Sequence, residues 1–176
     1  MAKYYRRRRF YRRRGTRWSP NLTRIRGDGT APANSPFADS ITIAQNNTAT
    51  SNNSISQAFT VKNIEVSAQL EADSTGGNNV ENIEYYIMFV PQGYAISANL
   101  PEDHPEWIMN YKYIGSAFSY SSLSDSNAQV PRIKTRLSRK LQTGDSVIFL
   151  IRGVNRNSTD VGVLWNGLVR WWTKAN

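Results

Sequence analysis

The sequence NIEVSAQLE, from Asn63 to Glu71, alternates polar and apolar side chains throughout. Its apolar members, Ile64, Val66, Ala68 and Leu70, occupy every second position. A period of two is that of a β-strand, whose successive side chains point to opposite faces of a sheet. The stretch therefore predicts a strand with one face buried in a core and the other in contact with water.

Segments on both sides of this strand also have β character. Two are apolar at nearly every position, Ile83 to Val90 (IEYYIMFV) and Val147 to Ile151 (VIFLI), which predicts strands covered on both faces. The second of these should lie at the centre of a sheet. The remaining predicted strands are Ser40 to Ala44, Tyr111 to Tyr120, Val130 to Leu141 and Val161 to Trp172, the last with Val161, Val163, Trp165, Gly167, Val169 and Trp171 on one face.

Polar turns separate these segments, and the chain shows no strand-helix-strand rhythm. The turns are predicted at 45–54, 73–79, 121–127, 143–145 and 155–160. The single predicted helix is short, from Leu100 to Asn110, with prolines and acidic residues in its first turn. About eight short strands with one helix predict an all-β fold, a single antiparallel jelly roll or β-sandwich, with a barrel as the alternative.

The basic residues of the chain are concentrated at its N-terminus. Met1 to Arg26 holds eleven Lys and Arg side chains and no acidic residue, out of 22 basic and 13 acidic residues in all. The rest of the chain therefore has a net charge of −2. Like charges in one block repel each other and cannot be desolvated cheaply, so we expect an arm that is disordered alone in water. Its partner should be a polyanion.

Aromatic residues interleaved with these cations point to nucleic acid. Arginine forks bind phosphates, while aromatic rings stack on unpaired bases. A nuclear import signal is a compatible second use, and a membrane helix is excluded because the cations would fill every direction around its axis. The candidate binding residues are Lys3, Tyr4, Tyr5, Arg6, Arg7, Arg8, Arg9, Phe10, Tyr11, Arg12, Arg13, Arg14, Arg17, Trp18, Arg24 and Arg26.

A second basic group is predicted in the body of the protein. Arg132, Lys134 and Arg136 alternate along one strand and should share one face, either beside the arm or as a solvated outer surface. Between arm and body, residues 27–36 (GDGTAPANSP) predict a linker with neither helix nor strand. The domain would then span residues 37–176, and deleting residues 1–26 should leave it folded.

Catalysis finds no support in the motifs of the chain. There is no cysteine, no phosphate-binding glycine loop and no nucleophile elbow, and the one histidine, His104, is predicted to be a surface residue in an acidic helix cap. We therefore expect neither enzymatic activity nor a metal or cofactor. No apolar run has the length of about 18 residues that a membrane span requires, so no membrane insertion is expected. Trp165, Trp171 and Trp172 should lie in the core or in subunit contacts.

The start MAKYYRRRRFYRRR, followed by a short linker and an all-β body, resembles the capsid proteins of circoviruses and related small circular single-stranded DNA viruses of eukaryotes. Two further segments are similar to capsid proteins of that group, HPEWIMNYKYIG from His104 to Gly115 and RLSRKLQTGDSVIFLIRG from Arg136 to Gly153. The chain is shorter than circovirus capsid proteins, and its arm is more compact.

The resemblance implies a single jelly roll, of which many copies close into a small icosahedral homo-oligomeric shell of about sixty subunits. It also implies an arm that faces inward onto a single-stranded DNA genome and that host nuclear import receptors recognise. The protein would then be found in the virion and in the host nucleus. The alternative is a cellular nucleic-acid-binding protein of ribosomal type, with a small β-barrel and a basic extension.

Overall fold

The protein forms two β-sheets packed face to face, in a computed structural model that describes residues 17–47, 58–72, 80–116, 118–119 and 130–175. The strands are β1 (Ser19–Ala31), β2 (Pro36–Gln45), β3 (Phe59–Ala72), β4 (Val80–Val90), β5 (Ile108–Gly115), β6 (Phe118–Ser119), β7 (Arg132–Leu141), β8 (Ser146–Asn155) and β9 (Val161–Ala175). The helical elements are one short helix, α1 (Leu100–Asp103), and one 3-10 turn (Pro105–Trp107).

The strand order confirms the predicted jelly roll. Sheet A has the order β1, β9, β3, with β7 and the short β6 both along the far side of β3. Sheet B has the order β2, β8, β4, β5. All pairs are antiparallel except β3 with β6. Early and late strands therefore lie side by side in both sheets, as expected when a long antiparallel ribbon wraps into a sandwich.

The core lies between the sheets and uses alternate residues of each strand. The predicted inward side chains of β3 are all buried, from Ile64 to Leu70, and they pack in one cluster with the inward residues of β4, β8 and β9. At the centre, the Tyr85 ring meets Phe149 edge-on at 5.2 Å, and the Tyr85 hydroxyl donates to the Ala68 carbonyl at 3.2 Å. Burial raises the pKa of Tyr85, so its hydroxyl stays protonated.

A second, smaller apolar cluster covers the outer face of sheet B. Met88 of β4 and Ile148 and Leu150 of β8 point away from the main core and are buried under Leu100 of α1 and under Trp107. This explains why β4 and β8 are apolar at nearly every position. The prediction that both faces of these strands are covered is confirmed, as is the central position of β8.

The segment from Leu100 to Trp107, which lies over the outer face of sheet B, is called the cover here. Arg152 links the cover to sheet B. Its guanidinium bonds to Glu84 of β4 at 2.8 Å and to Glu102 of α1 at 2.5 Å. These bonds hold the pKa of Glu102 below its ordinary value. Burial, together with the hydrogen bond to Glu84, raises the pKa of Tyr86 to about 12. The charges under the cover are thus paired with one another, as partly buried charges must be.

The predicted helix from Leu100 to Asn110 is wrong in its second half. The helix ends after Asp103, a 3-10 turn starts at Pro105, and β5 begins at Ile108. His104 has φ of −136° and ψ of 64°, outside the helical region. The reason is Pro105, whose ring disfavours helical geometry at the residue before it and removes a backbone donor.

The prediction that residues 27–36 form no strand is also wrong. Strand β1 runs from Ser19 through Ala31 and pairs with β9 along its whole length, so it takes in the end of the predicted arm and half of the predicted linker. Ile25 and Ala31 are buried in the core. Gly27 is required here, because a Cβ on it would come within 2.2 Å of the Trp165 ring. Strand β2 also starts earlier than predicted, at Pro36.

This pairing changes the expected effect of truncation. Deleting residues 1–16 leaves β1 whole, so the free energy of unfolding should stay unchanged. Deleting residues 1–26 removes most of β1, including Ile25, and leaves one side of β9 unpaired from residue 166 to residue 173. It should lower the free energy of unfolding by about 2–5 kcal/mol, the usual cost of losing one buried isoleucine side chain, or more. Thermal unfolding followed by circular dichroism measures both proteins. Equal midpoints for the two truncations would show that β1 adds nothing to stability.

Candidate nucleic-acid interface

The face of sheet A that points away from sheet B carries a dense group of basic residues. Directly paired residues point to the same side of a sheet, so the register identifies the members of this face. One row runs across all four long strands as Leu22, Arg170, Glu65 and Lys134. The row beside it is Arg24, Leu168, Ser67 and Arg132. We call this surface the basic face; its cations include Arg24, Arg26, Lys62, Arg132, Lys134, Lys140, Arg170 and Lys174.

The basic face unites two groups that the sequence presents separately. Arg24 and Arg26 lie on β1, at one edge of sheet A, and Arg132 and Lys134 lie on β7, at the other. Three strand spacings of about 4.8 Å put these edges about 14 Å apart. Arg136 is also exposed, near the bulge where the register between β3 and β7 shifts. The predicted residues from Lys3 to Arg14 lie outside the described residues.

The two remaining arm residues lie where β1 begins. Arg17 is exposed, and Trp18 is half-buried. The Lys62 ammonium sits 3.8 Å from the centre of the Trp18 ring, and the Lys174 ammonium is 6.0 Å away. The Trp18 ring thus contacts the body through Lys62, and the stacking of a base on this ring stays a prediction.

Several residues of the basic face were missed by reasoning from the sequence. Lys62, Arg170, Trp172 and Lys174 are scattered along the chain and form no run of charge. Trp172 lies under the Arg170 guanidinium, 5.1 Å from ring centre to Cζ. The available signal is alternation, since Lys62 lies next to the buried Val61 of β3 and Arg170 next to the buried Val169 of β9. Alternation shows which side chains of a strand point outward, but it does not show which strands are neighbours in the sheet.

Glu65 lies in the middle of the basic face and bonds to three of its cations. Its side chain is only 12% exposed, and its oxygens contact Arg132, Arg170 at 3.4 Å and Lys134 at 3.8 Å. One carboxylate thus forms ion pairs with cations on both strands that flank β3, namely β7 and β9. Phosphate oxygens form the same kind of charge-assisted hydrogen bond, so a bound phosphate can compete with Glu65 for these side chains.

The charges on the opposite side of the protein have the other sign. The cover over sheet B carries Glu102, Asp103 and Glu106. Two cations contact this cover: Arg152, which is paired with Glu84 and Glu102, and Arg139, whose guanidinium donates to the Glu106 backbone carbonyl at 3.4 Å. The body therefore has a basic side and an acidic side, although its net charge is small.

The other residues considered for chemistry have structural roles. Trp165 is buried in the core and donates its indole N–H to Asp39, and Trp171 packs against the same core. His104 is half-buried rather than on the open surface, stacked at 3.7 Å on Trp107 with its Nδ1 3.1 Å from Glu106 Oε1. Within the described ranges, no three or more His, Asp or Glu side chains are grouped as a metal site. No helix in the same ranges is long and apolar enough to cross a membrane.

Comparison with known proteins finds similarity in structure only. No family model matches the sequence, and no curated protein does. Among solved structures, the chain is similar to one from Desmodium yellow mottle tymovirus, with 13% identity, a TM-score of 0.32 and 88% of each chain covered. It is also similar to the decameric BFDV capsid protein, with 7% identity, a TM-score of 0.37 and coverage of 91% of this chain and 100% of that one. A chain from turnip yellow mosaic virus is similar as well, with 11% identity, a TM-score of 0.32 and coverage of 90% of this chain and 95% of that one. The fold assignment rests on the strand order given above.

Replacing Glu65 tests its competition with phosphate. The change Glu65→Gln keeps the shape of the side chain and releases three cations, so single-stranded DNA should bind more tightly at low salt. The slope of log K against log salt should steepen by up to about 2, from about 0.7 counterions per added phosphate contact. Fluorescence anisotropy over a series of NaCl concentrations measures both quantities.

A matched control for this variant is Glu81→Gln. Glu81 lies on β4 in sheet B, and its recorded ion pair is a distant one with Arg156 at 4.0 Å. This control should leave both affinity and slope unchanged. Weaker binding by Glu65→Gln would mean that the carboxylate organises the cations for binding and does not compete with phosphate.

Proposed function

We propose that this protein is a viral coat protein that assembles into a closed icosahedral shell around a circular single-stranded DNA genome. The arm and the basic face would both point to the interior. The observation that carries the proposal is that β1, which continues directly from the arm, lies in the same sheet as the basic strand β7, with the cations of both on one face. A polyanion bound by Arg24 and Arg26, at the end of the arm, would therefore lie on the basic face as well.

The two-sided charge of the body supports this orientation. A packaged genome is a dense negative charge that attracts the basic face and repels Glu102, Asp103 and Glu106 on the far side. Subunits bound to the same nucleic acid would therefore all present the same side to it. A common orientation is what a closed shell of identical subunits requires.

Contacts between subunits need exposed apolar surface. Trp165 is 2% exposed in the single chain, so it cannot contribute to a subunit contact as the sequence suggested it might. Tyr94, Tyr111 and Tyr113 are each about half exposed and are better candidates. Large aromatic side chains supply much of the energy of protein interfaces.

The arm is also proposed to act as the signal that host import receptors recognise. The protein would then be carried to the host nucleus before assembly and would end in the virion. The ribosomal-type alternative is not favoured, because the acidic cover over sheet B would repel a structured RNA that wraps the body.

Assembly and packaging can be tested with one set of proteins. The full chain, expressed with nucleic acid present, should form uniform particles in electron micrographs and sediment as a species of megadalton size. A monomer under these conditions would contradict the proposal.

The triple change Arg132→Gln, Lys134→Gln and Arg136→Gln should lower the nucleic-acid content of the particles without blocking assembly. The ratio of absorbance at 260 nm to that at 280 nm measures this content. Unchanged content would put the basic strand β7 outside the shell.

The role of the arm is tested by deleting residues 1–16 and by changing its rings. The deletion keeps β1 intact and should give empty shells or none. Changing Tyr4, Tyr5, Phe10 and Tyr11 to Ala, with every arginine kept, should reduce the preference for single strands over duplex and leave the salt slope almost unchanged. Competition binding with matched oligonucleotides measures that preference. Tight binding with the same salt slope after the deletion would show that the arm is not the main site.

A further inference from the structure

We infer that a groove on the basic face binds one unpaired nucleotide of the packaged strand, at a site separate from residues 1–16 of the arm. The groove has a volume of about 520 Å³ and lies over β1, β9 and β3. Its lining includes Arg24, Arg26, Ser67, Val130, Asn166 and Leu168. The inference rests on the proposed function for the identity of its ligand, a single-stranded nucleic acid.

A short side chain lowers the floor of the groove. Ser67 of β3 is paired directly with Leu168 of β9, so both lie on the outer face of sheet A. The hydroxymethyl group of Ser67 leaves space beside the larger Leu168 side chain. Arg24 and Arg26 of β1 stand along one side of this floor, since they are paired with Leu168 and Asn166.

The lining combines three kinds of group that a nucleotide needs. Leu168 and Val130 are each 47% exposed in the described chain and present apolar surface to the flat face of a base. The Asn166 amide and the Ser67 hydroxyl can donate and accept hydrogen bonds at a base edge. Arg24 and Arg26 are two residues apart on one side of β1, about 7 Å along the strand, so they can contact successive phosphates.

Charge selects a nucleic acid over a protein segment as the occupant. Arg24 and Arg26 line the groove, and Arg132 lies in the row that crosses it. The rows on both sides of the groove carry carboxylates. Glu65 is shared by Arg132, Lys134 and Arg170. In the row beyond Arg26, Asp28 is exposed and Glu71 is buried. An apolar segment of another copy would have to bury these arginines without partners, which is costly. Duplex DNA hides its base faces and could use only the arginines, so the groove adds to the preference for single strands.

Photo-crosslinking locates the bound base directly. The full chain is mixed with an oligothymidine that contains thiothymidine, irradiated and digested with trypsin, and the crosslinked peptides are identified by mass spectrometry. We expect crosslinks within peptide 157–170, at or next to Leu168, in addition to those in the arm. Crosslinks in the arm alone would overturn the inference.

Affinity measurements supply an independent readout. The variant Leu168→Ser should weaken binding of oligothymidine about fivefold or more at a salt concentration that suppresses the ionic contribution, and should leave the salt slope unchanged because no charge is lost. The matched control is Leu164→Ser, which lies on the same face of β9 but outside the groove lining. Equal effects of the two variants, or none, would overturn the inference.

The outcomes separate this inference from the proposed function. Particles that contain DNA but crosslink only through the arm would leave the coat-protein function standing and remove the groove. A crosslink at Leu168 in a protein that never forms particles would support the groove as a binding site and contradict the coat-protein function. If Leu168→Ser stops particle assembly and leaves the DNA affinity of the free protein unchanged, the groove is a contact for a second copy and the inference is wrong.

Discussion

The pairing of β9 with β1 on one side and β3 on the other is the interaction on which the rest of the protein depends. Alternate residues of β9, including Val163, Trp165 and Val169, complete the core, and the residues between them build the basic face. The period of two in a strand makes these two surfaces inseparable. A change that slips the register of β9 by one residue would expose the core and bury charges in the same step.

The concentration of cations on one face opposes folding through mutual repulsion. Several contacts reduce that repulsion in the folded protein: Glu65 bonds to three cations, and Lys62 and Arg170 lie over aromatic rings. These contacts hold the side chains near the sheet and leave an excess of positive charge. A bound polyanion would remove the remaining repulsion, so binding and stability of the body should be linked.

The cover over sheet B accounts for the difference between the two outer faces. Leu100 and Trp107 shield the apolar outer side of β4 and β8, and Arg152 fixes the cover through Glu84 and Glu102. Sheet A has no comparable cover among the described residues, and its outer face carries the cations of the basic face. The carboxylates of the cover and the cations of the basic face thus lie on opposite sides of the sandwich.

The sequence by itself determined the all-β class, the inward residues of β3, the two-sided burial of β4 and β8 and the position of the basic arm, because each of these is a local pattern of period or charge. It did not predict β1, since Ser19 to Ala31 has few apolar residues and becomes a strand by pairing with β9. It did not predict that Arg24, Arg170 and Lys134 share a face, or that a groove opens between Arg26 and Leu168. Only the tertiary structure decided these features, because they depend on which distant strands are neighbours and in what register, and that is set by the packing of the whole core.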